Sequence, residues 1–155
     1  MQEGHSDLNR RVRELTATLT DEQREHADRV AVYAVATAIE MGTTAEISLT
    51  IRYSGQLHEA APCPFPGAAE LIEAMTLPWN GAGAEGPVGN SIPFGGRILA
   101  VAHEFDVLTM PPRPDTVAAQ VEALEYLKSE GGRRFDPAVV SAFIHVQRLI
   151  QPLGL

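Results

Sequence analysis

The sequence predicts an all-α domain of about six or seven helices. Three observations carry this. Apolar residues recur at three- and four-residue spacing in one segment after another. Helix-start signals stand in front of several of those segments. Glycine and proline cluster between the segments more than within them. One stretch resists: Ile47, Leu49, Ile51 and Tyr53 alternate with polar residues, which is the period of a half-buried strand.

Leu8, Val12, Leu15 and Leu19 share one face of a first amphipathic helix. Thr20-Asp21-Glu22-Gln23 has the form of a capping box, so a second helix starts there and runs to around Met41. Gly42 is its stop. Pro62, Pro64 and Pro66 fix the backbone and remove donors, so Ala60–Gly67 is expected to be extended. A short helix follows over Ala68–Met75. Residues 78–96 are rich in glycine and proline and read as a long loop, a length that in compact domains is usually functional or disordered.

Ile98, Val101, Ala102, Phe105 and Leu108 form the apolar face of the next helix, which Pro111, Pro112 and Pro114 end. Asp115 is a cap for a helix through Ser129, with Val117, Val121 and Leu124 as its face. Gly131-Gly132 stops that helix. Asp136-Pro137 pairs a cap with proline at the first helical position. Val139, Phe143, Val146 and Ile150 line the buried side of this last helix.

The chain of 155 residues reads as a single domain over 1–155. Its 45% hydrophobic and 21% charged content is that of a globule with a real core. The net charge is −8, from 20 acids against 12 bases. Arg10-Arg11-Arg13 and Arg133-Arg134 are short and flanked by acids, so no basic patch exists for nucleic acid. The lone Cys63 excludes an intrachain disulfide and has no second Cys or close His for a metal knuckle. No apolar run reaches the roughly 18–20 residues of a membrane span, and the N-terminus lacks the apolar core of a signal peptide. A cytoplasmic location is the expectation.

Gly96–Thr109, GRILAVAHEFDVLT, and Arg133–Phe143, RRFDPAVVSAF, together resemble the C-terminal half of an HD-GYP domain. That family has a helical fold and hydrolyses cyclic di-GMP with a cluster of metal ions. The resemblance covers about 26–146. It implies that 47–59 is helical, because TIRYSGQLHE is similar to a helical run of the family. His26 in HADRVAVYA matches the family's first His. His58-Glu59 stands where the family has His-Asp. His103 stands where the V-A-D-x-F-D run has a metal-binding Asp. The resemblance thus implies a remnant metal set of His26, His58, Glu59 and His103. Asp106 matches the F-D of that run and reads as structural. Arg52 and Arg97 match family arginines that tie helices together. His5 and His145 lie outside the motifs and read as surface residues.

The departures matter as much. The family's Lys after the His-Asp pair is missing from Ala60-Ala61-Pro62. A helix carrying another His is deleted between Glu59 and Met75. Met75-Thr76 replaces the two histidines of the family's loop signature, and Ala84-Glu85 replaces its Tyr-Pro. Trp79, Gly81 and Gly83 keep the skeleton of that loop and are expected to preserve its path. Three imidazoles and one carboxylate suit a single divalent transition metal, Fe, Mn or Zn, and suit two ions poorly.

The expectation is a degenerate HD-GYP-like signalling module. It would lack diesterase activity and act by binding a partner protein, or a nucleotide, in bacterial signalling. The alternative is an active metal-dependent phosphohydrolase with a one-metal site. No further catalytic residue or cofactor is assigned. The regular stripe of Leu8–Leu19 offers a contact for a homodimer.

Overall fold

A computed structural model describes residues 2–110 and 116–150 and contains no strand among them. The helices are α1 (Gln2–Thr16), α2 (Asp21–Glu40), α3 (Ala45–Leu57), α4 (Pro66–Ala74), α5 (Phe94–Thr109), α6 (Thr116–Glu130) and α7 (Pro137–Ile150). The fold is therefore all-α, as the periodicity predicts.

The starts are where the local chemistry puts them. The Gln23 N–H donates to the Thr20 hydroxyl at 3.1 Å, and the Thr20 N–H donates to Gln23 Oε1 at 3.0 Å. Two orphan donors at the head of α2 are satisfied this way. At the head of α7 the Ala138 N–H donates to Asp136 Oδ1 at 2.9 Å. Two boundaries differ from expectation. α4 begins at Pro66 rather than Ala68, because proline at the first position gives up an N–H that the helix does not use. α5 begins at Phe94, so the loop before it ends at Pro93 and contains a 3-10 turn at Gly89–Ser91. The expected cap at Asp115, with Pro111, Pro112 and Pro114, lies outside the described residues.

Residues 47–53 are helical, and the burial of α3 shows why their alternation misleads. α3 lies between two hydrophobic clusters. Ile51 enters the main core of α2, α5, α6 and α7, which is built around Val30, Phe105, Leu127 and Phe143. Tyr53 and Leu57 face the other way, into a smaller cluster with Val12 of α1. Leu49 is partly buried against that second cluster, and Ile47 is 45% exposed. A helix with two buried sides needs no single apolar stripe.

The α1 stripe is used within the chain. Val12 is buried, and Leu8, Leu15 and Leu19 pack beside Tyr53 and Leu57. The face that the sequence offers to a second copy thus covers α3.

Small residues set the helix spacing. A Cβ added at Gly55 of α3 would lie 2.7 Å from the Ala31 Cα of α2. One added at Gly96 of α5 would lie 2.5 Å from the Ala74 Cβ of α4. Real Cβ atoms do not approach so closely, so both crossings depend on glycine. The first crossing brings the end of α3 against α2. α5 packs on both α2 and α3. His26, His58 and His103 are carried to one place by these three helices. No helix among the described residues is long and apolar enough to cross a membrane.

Candidate metal centre

The site is built from α2, the C-terminus of α3, and α5. His26 is in the second turn of α2, His58 is the C-cap of α3, Glu59 follows it, and His103 is in α5. One donor atom from each of His26, His58, Glu59 and His103 lies within 4.8 Å of all the others. The four residues that the resemblance implies are brought together.

The three rings meet edge to face. Ring centroids are 5.1 Å apart for His26 and His58, 5.1 Å for His26 and His103, and 5.3 Å for His58 and His103. The interplanar angles are 72°, 76° and 86°. Rings at nearly right angles converge by their nitrogens rather than stacking by their faces.

Partners behind the rings fix the tautomers. His26 Nδ1 is 2.6 Å from Asp106 Oδ2. Asp106 is 1% exposed, and burial alone would push its carboxyl up. Hydrogen bonds from His26 and Arg29 outweigh that and hold it below the usual carboxylate range. Arg29 grips it with Nε at 2.7 Å from Oδ1 and a terminal nitrogen at 3.0 Å from Oδ2. An ionised Asp106 only accepts, so His26 Nδ1 carries the proton and Nε2 keeps its lone pair. His58 Nδ1 is 2.6 Å from the Gly55 carbonyl oxygen, which also only accepts. His58 Nε2 therefore keeps its lone pair too.

These lone pairs face each other: His26 Nε2 and His58 Nε2 are 3.2 Å apart. Glu59 Oε1 lies 3.7 Å from the first and 3.5 Å from the second. With both rings neutral these are three converging acceptors, an arrangement that a proton or a metal cation among them would satisfy. Donors about 2.0–2.1 Å from a tetrahedral ion stand about 3.3–3.4 Å from one another. The three measured separations bracket that edge, so His26, His58 and Glu59 fit one divalent ion, and His103 brings a fourth donor within 4.8 Å of the others.

Burial lowers the proton affinity of His58, and the neighbouring His26 adds to it against the Gly55 carbonyl. Burial likewise holds His103 below the usual imidazole range, with His58 and His26 adding to it. Neutral imidazole is the ligand form. His103 and His58 also line an open cleft of about 340 Å³ with Met75, Thr76, Glu104 and Arg134.

The other residues singled out by sequence fall into place. Asp106 is buried and structural, as expected, and its role is to orient His26. Arg97 ties α5 to the start of α7, with a nitrogen 2.6 Å from Asp136 Oδ2. Arg52 does not tie helices: it makes no ion pair with a described residue and lies 6.0 Å over the ring of its neighbour Tyr53. His5 is exposed, and His145 is at the surface near Glu40. The Trp79 N–H donates to the Arg134 carbonyl at 3.0 Å, and the Asn80 N–H to the Arg133 carbonyl at 2.9 Å. Gly81 and Gly83 adopt φ of 73° and 74°, the left-handed region that favours glycine. Trp79 and Asn80 thus hold the loop against the turn between α6 and α7, and Gly81 and Gly83 shape its path.

Sequence reasoning missed Arg29 and Arg134. Arg29 had a signal: it is one helical turn from His26, on the same face. Arg134 had none, because its place beside the cluster depends on the loop contacts just described.

Comparisons with known proteins agree with this architecture. Residues 31–139 match the family model of the HD domain. A segment of 68 residues, 43% of the chain, is 43% identical to the cyclic di-GMP phosphodiesterase response regulator RpfG of Xanthomonas campestris pv. campestris (strain 8004). The match spans 18% of that regulator's length. With more than half of its residues matched and its helices in place, the chain belongs to the HD domain family.

Proposed function

We propose that this chain is a degenerate HD-GYP-like signalling module that holds one divalent transition metal and binds a ligand or partner protein without diesterase activity. The carrying observation is the carboxylate count around the histidine cluster. Glu59 is the single carboxylate in the donor set. Asp106, the buried carboxylate next to it, is turned away and held by His26 and Arg29. One divalent ion with three neutral imidazoles and Glu59 carries a net +1. A second ion would add two positive charges, and the neighbouring carboxylates, Asp106 and Glu104, are already paired with Arg29 and Arg134. The similarity to a cyclic di-GMP phosphodiesterase regulator supports a place in that signalling chemistry.

When bound, a divalent ion supplies Lewis-acid polarisation of a phosphoryl oxygen. The chain's own residues do the rest. His26 and His58 present Nε2 lone pairs, Asp106 and the Gly55 carbonyl keep the protons on Nδ1, and Arg29 keeps Asp106 ionised.

One observation favours the second reading, an active phosphohydrolase with a one-metal site. The cluster is well formed and opens on a cleft through His58 and His103. The test incubates protein loaded with Mn²⁺ or Fe²⁺ with cyclic di-GMP and with bis(p-nitrophenyl) phosphate. The proposal expects no turnover that His58→Ala abolishes. Metal-dependent turnover lost in His58→Ala would establish the phosphohydrolase instead.

A further inference from the structure

Arg134 lies in the turn between α6 and α7, in the segment where Gly131 and Phe135 form an isolated bridge. Its backbone is fixed from two sides. Its carbonyl accepts from Trp79, and its N–H donates to the Glu130 carbonyl at 3.1 Å. Its guanidinium stands 5.0 Å over the Phe135 ring and bonds the Tyr126 hydroxyl. The side chain is 48% exposed and lines the same cleft as His58 and His103. Among the residues lining that cleft it is the one Lys or Arg.

Its present charge partner is Glu104, next to His103 in α5. The two contacts are long, 3.3 and 3.4 Å, and Arg134 is half exposed. Glu104 is 18% exposed, so the pair is open to solvent on the Arg134 side, where a ligand in the cleft can compete for the fork. A guanidinium fork on an aromatic platform, facing an open cleft, has the geometry that recognises an oxyanion with two parallel hydrogen bonds. A carboxylate that fills the fork has used both of its oxygens, whereas a phosphoryl group has further oxygens left to face the histidines that line the same cleft.

We infer that Arg134 is the anion anchor of this cleft: it binds a phosphoryl oxyanion whose other oxygens face the histidine cluster, displacing Glu104 to do so. This rests on the metal-binding reading above. It adds the residue of this chain that anchors the ligand. Arg134 acts on the ligand and contributes nothing to holding the ion. Glu104 is its competitor, and the two have opposite effects on affinity.

The test is titration calorimetry of Mn²⁺-loaded full-length protein with inorganic phosphate and, separately, cyclic di-GMP. Metal content is measured on every sample. Whichever probe binds more tightly identifies free phosphate or a phosphodiester as the source. Arg134→Ala should weaken binding about tenfold or more, with metal content unchanged, since a charge-assisted bond to an anion contributes about 1.5–3 kcal/mol. Glu104→Gln should tighten binding, and the gain should vanish in the double variant with Arg134→Ala. That coupling separates a direct contact from a folding defect. If wild type takes up metal but binds neither probe, or binds them equally in Arg134→Ala and wild type, the inference is overturned and the metal-binding reading stands. If wild type takes up no metal, both are overturned.

Discussion

The back and the front of the histidine cluster are built differently. Behind it, His26 and His58 are clamped through Nδ1 by Asp106 and the Gly55 carbonyl, and Asp106 is itself clamped by Arg29. In front, His103 is placed by packing against the other two rings, and it faces the cleft beside a half-exposed Arg134. The difference assigns tasks. A buried, oriented back fixes lone pairs where an ion can use them. An open front leaves room for a ligand to meet that ion. A site that had merely decayed would have no reason to keep the back so fully satisfied, since a buried Asp–Arg–His network costs desolvation energy to maintain.

Breaking the back should have the largest effects. His58→Ala removes a donor and should abolish stoichiometric metal uptake, read by elemental analysis after dialysis. Retention of the metal would show that His58 is outside the ligand set. Arg97→Met serves as a control away from the cluster. It leaves Asp136, which is 4% exposed, without its cation. Unfolding in urea should show a loss of about 3–5 kcal/mol. Metal content should be unchanged, and a loss of metal would mean that the loop and the cluster are not separable.

Asp106→Asn keeps the shape behind His26 but takes away the charge. Such a change typically lowers metal affinity about 10–100-fold. Competition with a coloured chelator measures this, and an unaltered affinity would reduce Asp106 to a packing role.

Acid should have the gentlest effect. The folded proton affinities of His58 and His103 are lowered, so the unfolded chain takes up protons first as the pH falls. The metal-free protein should therefore lose stability as pH drops through about 6.5, the unfolded imidazole value. Asp106, also lowered, should add a further loss as pH falls below about 3.9. Unfolding curves at pH 7.5 and 5.5 test the histidine part. Equal stability at both would mean that the rings are not held neutral by the fold.

The two sides also differ in how much of them could be read from the sequence. Helix starts with local chemistry were legible: Thr20 with Gln23, and Asp136 with Pro137, each act within four residues. The four residues that cluster were legible because each stands in a recognisable run. α3 misled local reading because its two buried sides face different clusters, which only the tertiary arrangement defines. The role of Asp106 was hidden because its partner His26 lies 80 residues away in sequence. Arg134 was hidden more deeply. Arg133-Arg134 reads as a short basic pair, and only the backbone bonds to Trp79 and Asn80 bring that turn to the mouth of the cleft.

The central claim is a site for one ion, with Glu59 as its one carboxylate. The most direct measurement is the number of metal equivalents bound per chain after saturation with Mn²⁺, Fe²⁺ or Zn²⁺ and removal of excess, without affinity nickel at any stage. The account predicts a value close to one, falling to zero in His58→Ala. Two equivalents, or none under any of the three metals, would contradict it.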